Sequence, residues 1–76
     1  MQLKELSQDS GVSVASIKFY LREDLLKPGE PGTANRAEYT QEHLDRLELI
    51  RLLRQVVGLG LDKIKTLTAA IDNPEV

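Results

Sequence analysis

The chain has 76 residues, 41% hydrophobic and 29% charged, the balance of one small soluble globular domain rather than a disordered tail. With no cysteine and one histidine, His43, disulfides, thiolate metal sites and a zinc centre are excluded, and no apolar run approaches the roughly 20 residues of a membrane span. Ten basic against twelve acidic residues leave a net charge of −2, so a polyanionic partner would have to be held by a few well-placed cations.

The first predicted helix covers residues 3–9, with Leu3 and Leu6 as its apolar edge. Gly11 stands at its C-terminal turn, where a left-handed backbone favours glycine. Ser13 is the expected cap of a second helix over residues 14–23, whose inward face carries Val14, Ile17 and Leu21. Leu25 and Leu26 read as a short extended pair, and residues 27–32, with two prolines and two glycines, as a loop. Tyr39 closes a small hairpin begun at Leu26. Thr40 caps a third helix over residues 41–57, with Glu42 in its first turn. Its predicted stripe is Leu44, Leu47, Ile50, Leu53 and Val57, widened by Leu49, Leu52 and Val56. Gly58 and Gly60 end it, and a fourth helix follows over residues 61–71, with Leu61, Ile64, Leu67 and Ile71 inward before Asp72, Asn73 and Pro74 stop it.

The opening pair of helices carries the functional signal. A small Ser7 permits a close crossing, Gly11 makes the tight turn, Val12 plugs the space beneath it and Ile17 anchors the second helix. Ala15, Ser16, Lys18, Phe19 and Arg22 are then left facing outward, the surface such a helix offers to a major groove. The alternative is a helical hairpin with a solvated outer face, in which Arg22 pairs with Glu23 or Asp24. Tyr20 divides between core and a phosphate contact through its hydroxyl. Lys27 and Arg36 are the wing's candidate phosphate contacts, Tyr39 closes the hairpin, and the helix N-termini near Ser13 and Thr40 favour anions. Arg46, Arg51 and Arg54 read as a solvated helix face with Glu42 and Glu48 as partners, and His43 as a helix-surface residue.

The runs Leu3-Lys4-Glu5-Leu6, Gly11-Val12-Ser13-Val14, Ile17-Lys18-Phe19-Tyr20 and Leu25-Leu26-Lys27-Pro28 resemble the start of MerR-family regulators. Residues 40–47, Ile50-Arg51 and residues 58–64 resemble that family's following helices, so the likeness runs in order along nearly the whole chain. The resemblance implies a mainly α fold, a winged helix-turn-helix with a short β-hairpin wing followed by a helical pair, divided as 3–23, 25–39 and 41–72. It implies a sequence-specific DNA-binding transcription regulator, with the second helix in the major groove and the wing on the flanking backbone. Its site residues would be Ser13, Ser16, Lys18, Phe19, Tyr20, Arg22, Lys27, Arg36 and Tyr39. Two departures stand out: Ala15 occupies a position where the family often has arginine, and Arg36 lies one residue further from Tyr39 than the family's Arg-x-Tyr.

The partners implied are double-stranded DNA, a second copy joined through a C-terminal helix absent from this chain, and RNA polymerase indirectly. The polar opening residues read against a secretory signal, so a cytoplasmic protein with no membrane partner is expected. The residues assemble no nucleophile–base pair, paired acid or phosphate loop, so neither an enzyme nor a cofactor is expected. Two other functions fit the same fold: a DNA-architectural protein of the excisionase type, and a protein-interaction module.

Overall fold

Two serines build the first turn of the chain. Helix α1 spans Leu3–Ser10 and ends at Gly11, whose φ of 74° lets its N–H reach the Ser7 carbonyl at 3.0 Å. The Ser7 hydroxyl donates to the Val12 carbonyl at 2.6 Å, and the Ser10 hydroxyl accepts the Val12 N–H at 3.1 Å. Ser7 therefore ties the turn directly, beyond the small size expected of it. Helix α2 spans Val14–Arg22, and the Ser13 hydroxyl accepts the Ser16 N–H at 3.1 Å as the sequence predicts. The computed structural model describes residues 1–32 and 36–73; Pro74, expected to stop the fourth helix, lies outside them.

The segment after α2 corrects one expectation. Asp24 adopts φ 59°, a left-handed conformation that aspartate tolerates. That reversal brings the Leu25 and Leu26 N–H groups to the Tyr20 carbonyl at 2.9 and 3.3 Å. Both leucines thus bend into the core, where they are buried, rather than running as an extended pair. The wing proper is shorter than predicted and reaches into the segment read as loop. Strand β1 (Glu30–Pro31) pairs antiparallel with β2 (Ala37–Glu38), in the register Glu30 to Glu38 and Pro31 to Ala37. The Gly32 N–H reaches the Arg36 carbonyl at 2.9 Å, and Tyr39 donates to the Met1 carbonyl at 2.7 Å, which ties the returning wing strand to the start of the chain.

Helix α3 spans Gln41–Leu52 and passes into a wider π-helical turn at Leu53–Val57. The Leu53 carbonyl there accepts the Gly58 and Leu59 N–H groups, and Gly58, at φ 83°, ends the helix. Helix α4 spans Leu61–Asp72. Its burial differs from the predicted stripe: Ile64 and Thr68 face in, with the Thr68 hydroxyl donating to the Ile64 carbonyl at 3.0 Å, whereas Leu67 and Ile71 are exposed. In α3 the buried residues are His43, Leu47 and Ile50, while Leu52, Val56 and Val57 are exposed. The π turn rotates Val57 off the stripe that an unbroken helix would have continued.

Leu6 from α1, Ile17 and Tyr20 from α2, Leu47 and Ile50 from α3 and Ile64 from α4 meet in one core, joined by Val12, Leu25, Leu26 and Tyr39. The fold is a winged helix-turn-helix followed by a helical pair, as the sequence implied. The largest correction concerns His43. It has no solvent exposure at all and sits at the junction of wing and α3. Its Nδ1 accepts the Thr40 N–H at 3.0 Å, which leaves Nε2 to donate to the Pro28 carbonyl at 3.2 Å. The first turn of α3 thereby gains a buried polar anchor that charge and periodicity did not reveal.

Candidate nucleic-acid interface

Helix α2 divides cleanly into two faces. Ile17 and Tyr20, three residues apart, are buried; Ala15, Lys18 and Arg22, spaced three and four apart, form an exposed stripe. Val14 and Leu21, expected to face inward, are half-buried at the edges of that division, and Tyr20 takes the deep position instead. Phe19 is also half-buried and packs on the core, with its ring edge-on to Tyr20 at 6.0 Å and the Arg22 guanidinium 5.9 Å over its face. Arg22 consequently does not pair with its neighbours in sequence; Glu23 binds Lys65 of α4 at 3.0 Å.

At the start of α2, the Ser13 and Ser16 hydroxyls lie 3.0 Å apart. The Tyr20 hydroxyl is turned away from the outward stripe toward the π-helical turn after α3, where Arg54 Nη1 donates to it at 3.4 Å. On the wing, Arg36 is exposed and its Nη1 donates to Gln2 Oε1 at 3.4 Å. Tyr39 is buried, edge-on to the His43 ring at 5.1 Å, and so lies at the foot of the wing rather than on its surface.

Lys27 is exposed but engaged in an ion pair with Glu42 at the N-terminus of α3. The hydrogen bond between them holds the Glu42 carboxyl below its ordinary value and lifts the Lys27 ammonium above its own. Arg46 grips Asp72, at the end of α4, through two hydrogen bonds of 3.1 and 2.5 Å, which shift that pair the same way. Neither Arg46 nor Arg54 has the partner expected from the sequence, because α4 and α2, rather than acids of α3 itself, stand over them. Among the described residues, Lys18, Arg22, Arg36, Arg51 and Arg54 form no ion pair with a carboxylate.

Of the predicted site residues, the structure gathers Ser13, Ser16, Lys18 and Arg22 along α2 and sets Arg36 apart on the wing. It buries Tyr20 and Tyr39, and it holds Lys27 against α3. Arg51 and Arg54, read as part of a solvated helix face, are exposed, and Arg54 reaches back to the Tyr20 hydroxyl.

No helix among the described residues is long and apolar enough to cross a membrane. Residues 1–71 match the family model described as MerR HTH family regulatory protein. Over 74 residues the chain is 31% identical to the HTH-type transcriptional regulator CueR of Yersinia pestis, covering 97% of this chain and 52% of that protein. It is 33% identical over 75 residues to a probable heavy metal-dependent transcriptional regulator of Haemophilus influenzae, covering 99% of this chain and 58% of that one. Among solved structures, the lead(II) complex of the transcription regulator PbrR691 from Ralstonia metallidurans CH34 superposes with a TM-score of 0.89 at 33% identity, covering 100% of this chain and 59% of that one. The chain thus spans a little over half the length of these relatives.

Proposed function

Because this chain belongs to the MerR HTH family of regulatory proteins, we propose that it is the DNA-binding part of a sequence-specific transcription regulator. In this reading α2 enters the major groove of double-stranded DNA and the β1–β2 wing rests on the flanking backbone. The observation that carries it is the exposed stripe of Ala15, Lys18 and Arg22, backed by the buried Ile17 and Tyr20. A rigid helix whose inner face is locked in the core presents its outer cations at fixed spacing, as reading of base edges requires.

The contact set comprises Ser13 and Ser16 at the N-terminus of α2, Lys18, Phe19 and Arg22 along it, and Arg36 on the wing. Tyr20, Lys27 and Tyr39 act behind them. Tyr20 braces α2, while Lys27 and Tyr39 hold the foot of the wing. The working unit is a single domain, divided into helix-turn-helix, wing and helical pair. It acts in the cytoplasm as a homodimer formed through a further helix, and it influences RNA polymerase indirectly. The exposed Leu52, Val56, Leu67 and Ile71 support such an added helical cover.

The lead(II) of the PbrR691 structure finds no matching donors in these residues. The sequence has no cysteine, both ring nitrogens of its one histidine are spent on Thr40 and Pro28, and no cluster of three candidate ligands occurs among the described residues.

Selection of bound duplexes from a random pool tests the reading. A recovered motif with two related half-sites is the expected result. A pool from which nothing is retained at low salt would replace this reading with a protein-interaction module.

A further inference from the structure

The wing cannot hold its own place. Strands β1 and β2 pair over two residues each, and so short a hairpin is at best marginally stable unless something else orients it. Its returning side is tied to the body by the Tyr39 N–H on the Met1 carbonyl at 2.7 Å. The outgoing side has no such tie: among the described residues, no backbone–backbone hydrogen bond outside the strand pair reaches Lys27, Pro28 or Gly29. Two side-chain links to the first turn of α3 serve it instead, Lys27 with Glu42 and the Pro28 carbonyl with His43.

These links differ in strength. Lys27 and Glu42 are both exposed to water, where an ion pair holds weakly and salt screens it. His43 is fully buried, and each ring nitrogen has a set partner. The Thr40 N–H points at Nδ1 at 3.0 Å, so Nδ1 keeps its lone pair. The one ring proton therefore lies on Nε2, 3.2 Å from the Pro28 carbonyl. The ring also stands edge-on to Tyr39, on the returning side of the wing, at 5.1 Å. One buried side chain thus meets both sides of the hairpin where it leaves the body.

We propose that His43 is the positioning residue of the wing: through the Pro28 carbonyl it sets where β1 and β2 meet the DNA backbone beside the site that α2 reads. The inference rests on the DNA-binding reading above. His43 itself touches no DNA; it acts through the wing, whose exposed Arg36 makes the flanking contact. Helix α2 is held separately, by Ile17 and Tyr20 in the core. Loss of the ring's bonds therefore removes the affinity contributed by the flanks and spares base preference.

The test titrates the 76-residue chain and its His43→Gln and His43→Met variants against two duplexes across a salt series. One duplex carries the selected motif with a helical turn of flanking DNA on each side; the other is trimmed to the motif alone. Glutamine caps from the third helical position, where His43 stands, and its amide offers both an acceptor for the Thr40 N–H and a donor for the Pro28 carbonyl. Methionine fills the space but has no donor for that carbonyl. The parent and His43→Gln are expected to bind the flanked duplex roughly tenfold more tightly than the trimmed one. His43→Met is expected to bind the trimmed duplex as the parent does and to gain nothing from the flanks. Its slope of log affinity against log salt on the flanked duplex should be shallower by about 0.9. A ring that serves stability alone would instead lower the unfolding midpoint and weaken both duplexes by one factor. That outcome, a parent or a folded His43→Gln protein without the flank gain, or a His43→Met protein that keeps it, overturns the inference and leaves the DNA-binding reading standing. A parent that retains neither duplex at low salt overturns both.

Discussion

The His43 Nε2 donates to the Pro28 carbonyl at 3.2 Å, and this one bond joins the first turn of α3 to the foot of the wing. The opposite nitrogen takes the Thr40 N–H, so the ring serves as both helix cap and wing anchor. His43→Ala should therefore leave a cavity and unpair the part-buried Thr40 N–H and the Pro28 carbonyl, costing about 2–4 kcal/mol. Urea unfolding would register this as a lower midpoint with an unchanged slope. A midpoint equal to the parent's would mean that the ring bonds carry no stability.

Gly29 predicts a second, local failure. A Cβ built there would lie 2.8 Å from Ala37 Cβ and 3.0 Å from the Tyr39 ring, so the strand of one side of the wing passes too close for any larger residue. Gly29→Ala should push the wing off Tyr39 and cost about 1–3 kcal/mol. Amide shifts confined to the wing and Tyr39, with a lower unfolding temperature, are the expected signs; unchanged spectra would refute the close approach.

These two residues mark what a linear reading misses. The helix-turn-helix was legible because its determinants are local: Ser13 caps within three residues, Gly11 needs only its own φ, and Ile17 follows the helical period. The burial of His43 and the partners of Arg46 and Arg54 depend on residues 15 to 34 positions away, and no spacing rule links Pro28 to His43 or Tyr20 to Arg54. Helix four misled for a related reason. Its Leu67 and Ile71 fit an inward stripe, but the helix buries Ile64 and Thr68 and leaves Leu67 and Ile71 exposed. In the candidate site, the outward stripe of α2 was legible, and the turn of the Tyr20 hydroxyl toward Arg54 was not.

The two ion pairs make stability depend on acid. Glu42 and Asp72 are both held below their ordinary carboxyl values by hydrogen bonds from Lys27 and Arg46. A depressed carboxyl adds stability that is fully present above its unfolded value, about 4, and is lost as pH falls through the lower folded value. Thermal unfolding should hence decline below about pH 4, and Asp72→Asn should flatten that decline. At neutral pH the same substitution should cost under about 1 kcal/mol, because Asp72 is exposed to solvent. A variant with the parent's full acid dependence would remove this pair as a cause.

Lys18 tests the central claim most directly, since it stands in the middle of the exposed stripe of α2 and, among the described residues, has no ion-pair partner. The decisive measurement is a mobility-shift titration of the parent and Lys18→Ala against the duplex recovered from the pool and its single-base variants, over a range of salt. With two to four phosphate contacts, the parent's log–log salt slope should be roughly −2 to −4 per bound subunit. Lys18→Ala should lose about 1–3 kcal/mol of specific binding and its preference at one base position. A Lys18→Ala protein that matches the parent in affinity, base preference and salt slope would contradict the placement of α2 in the groove.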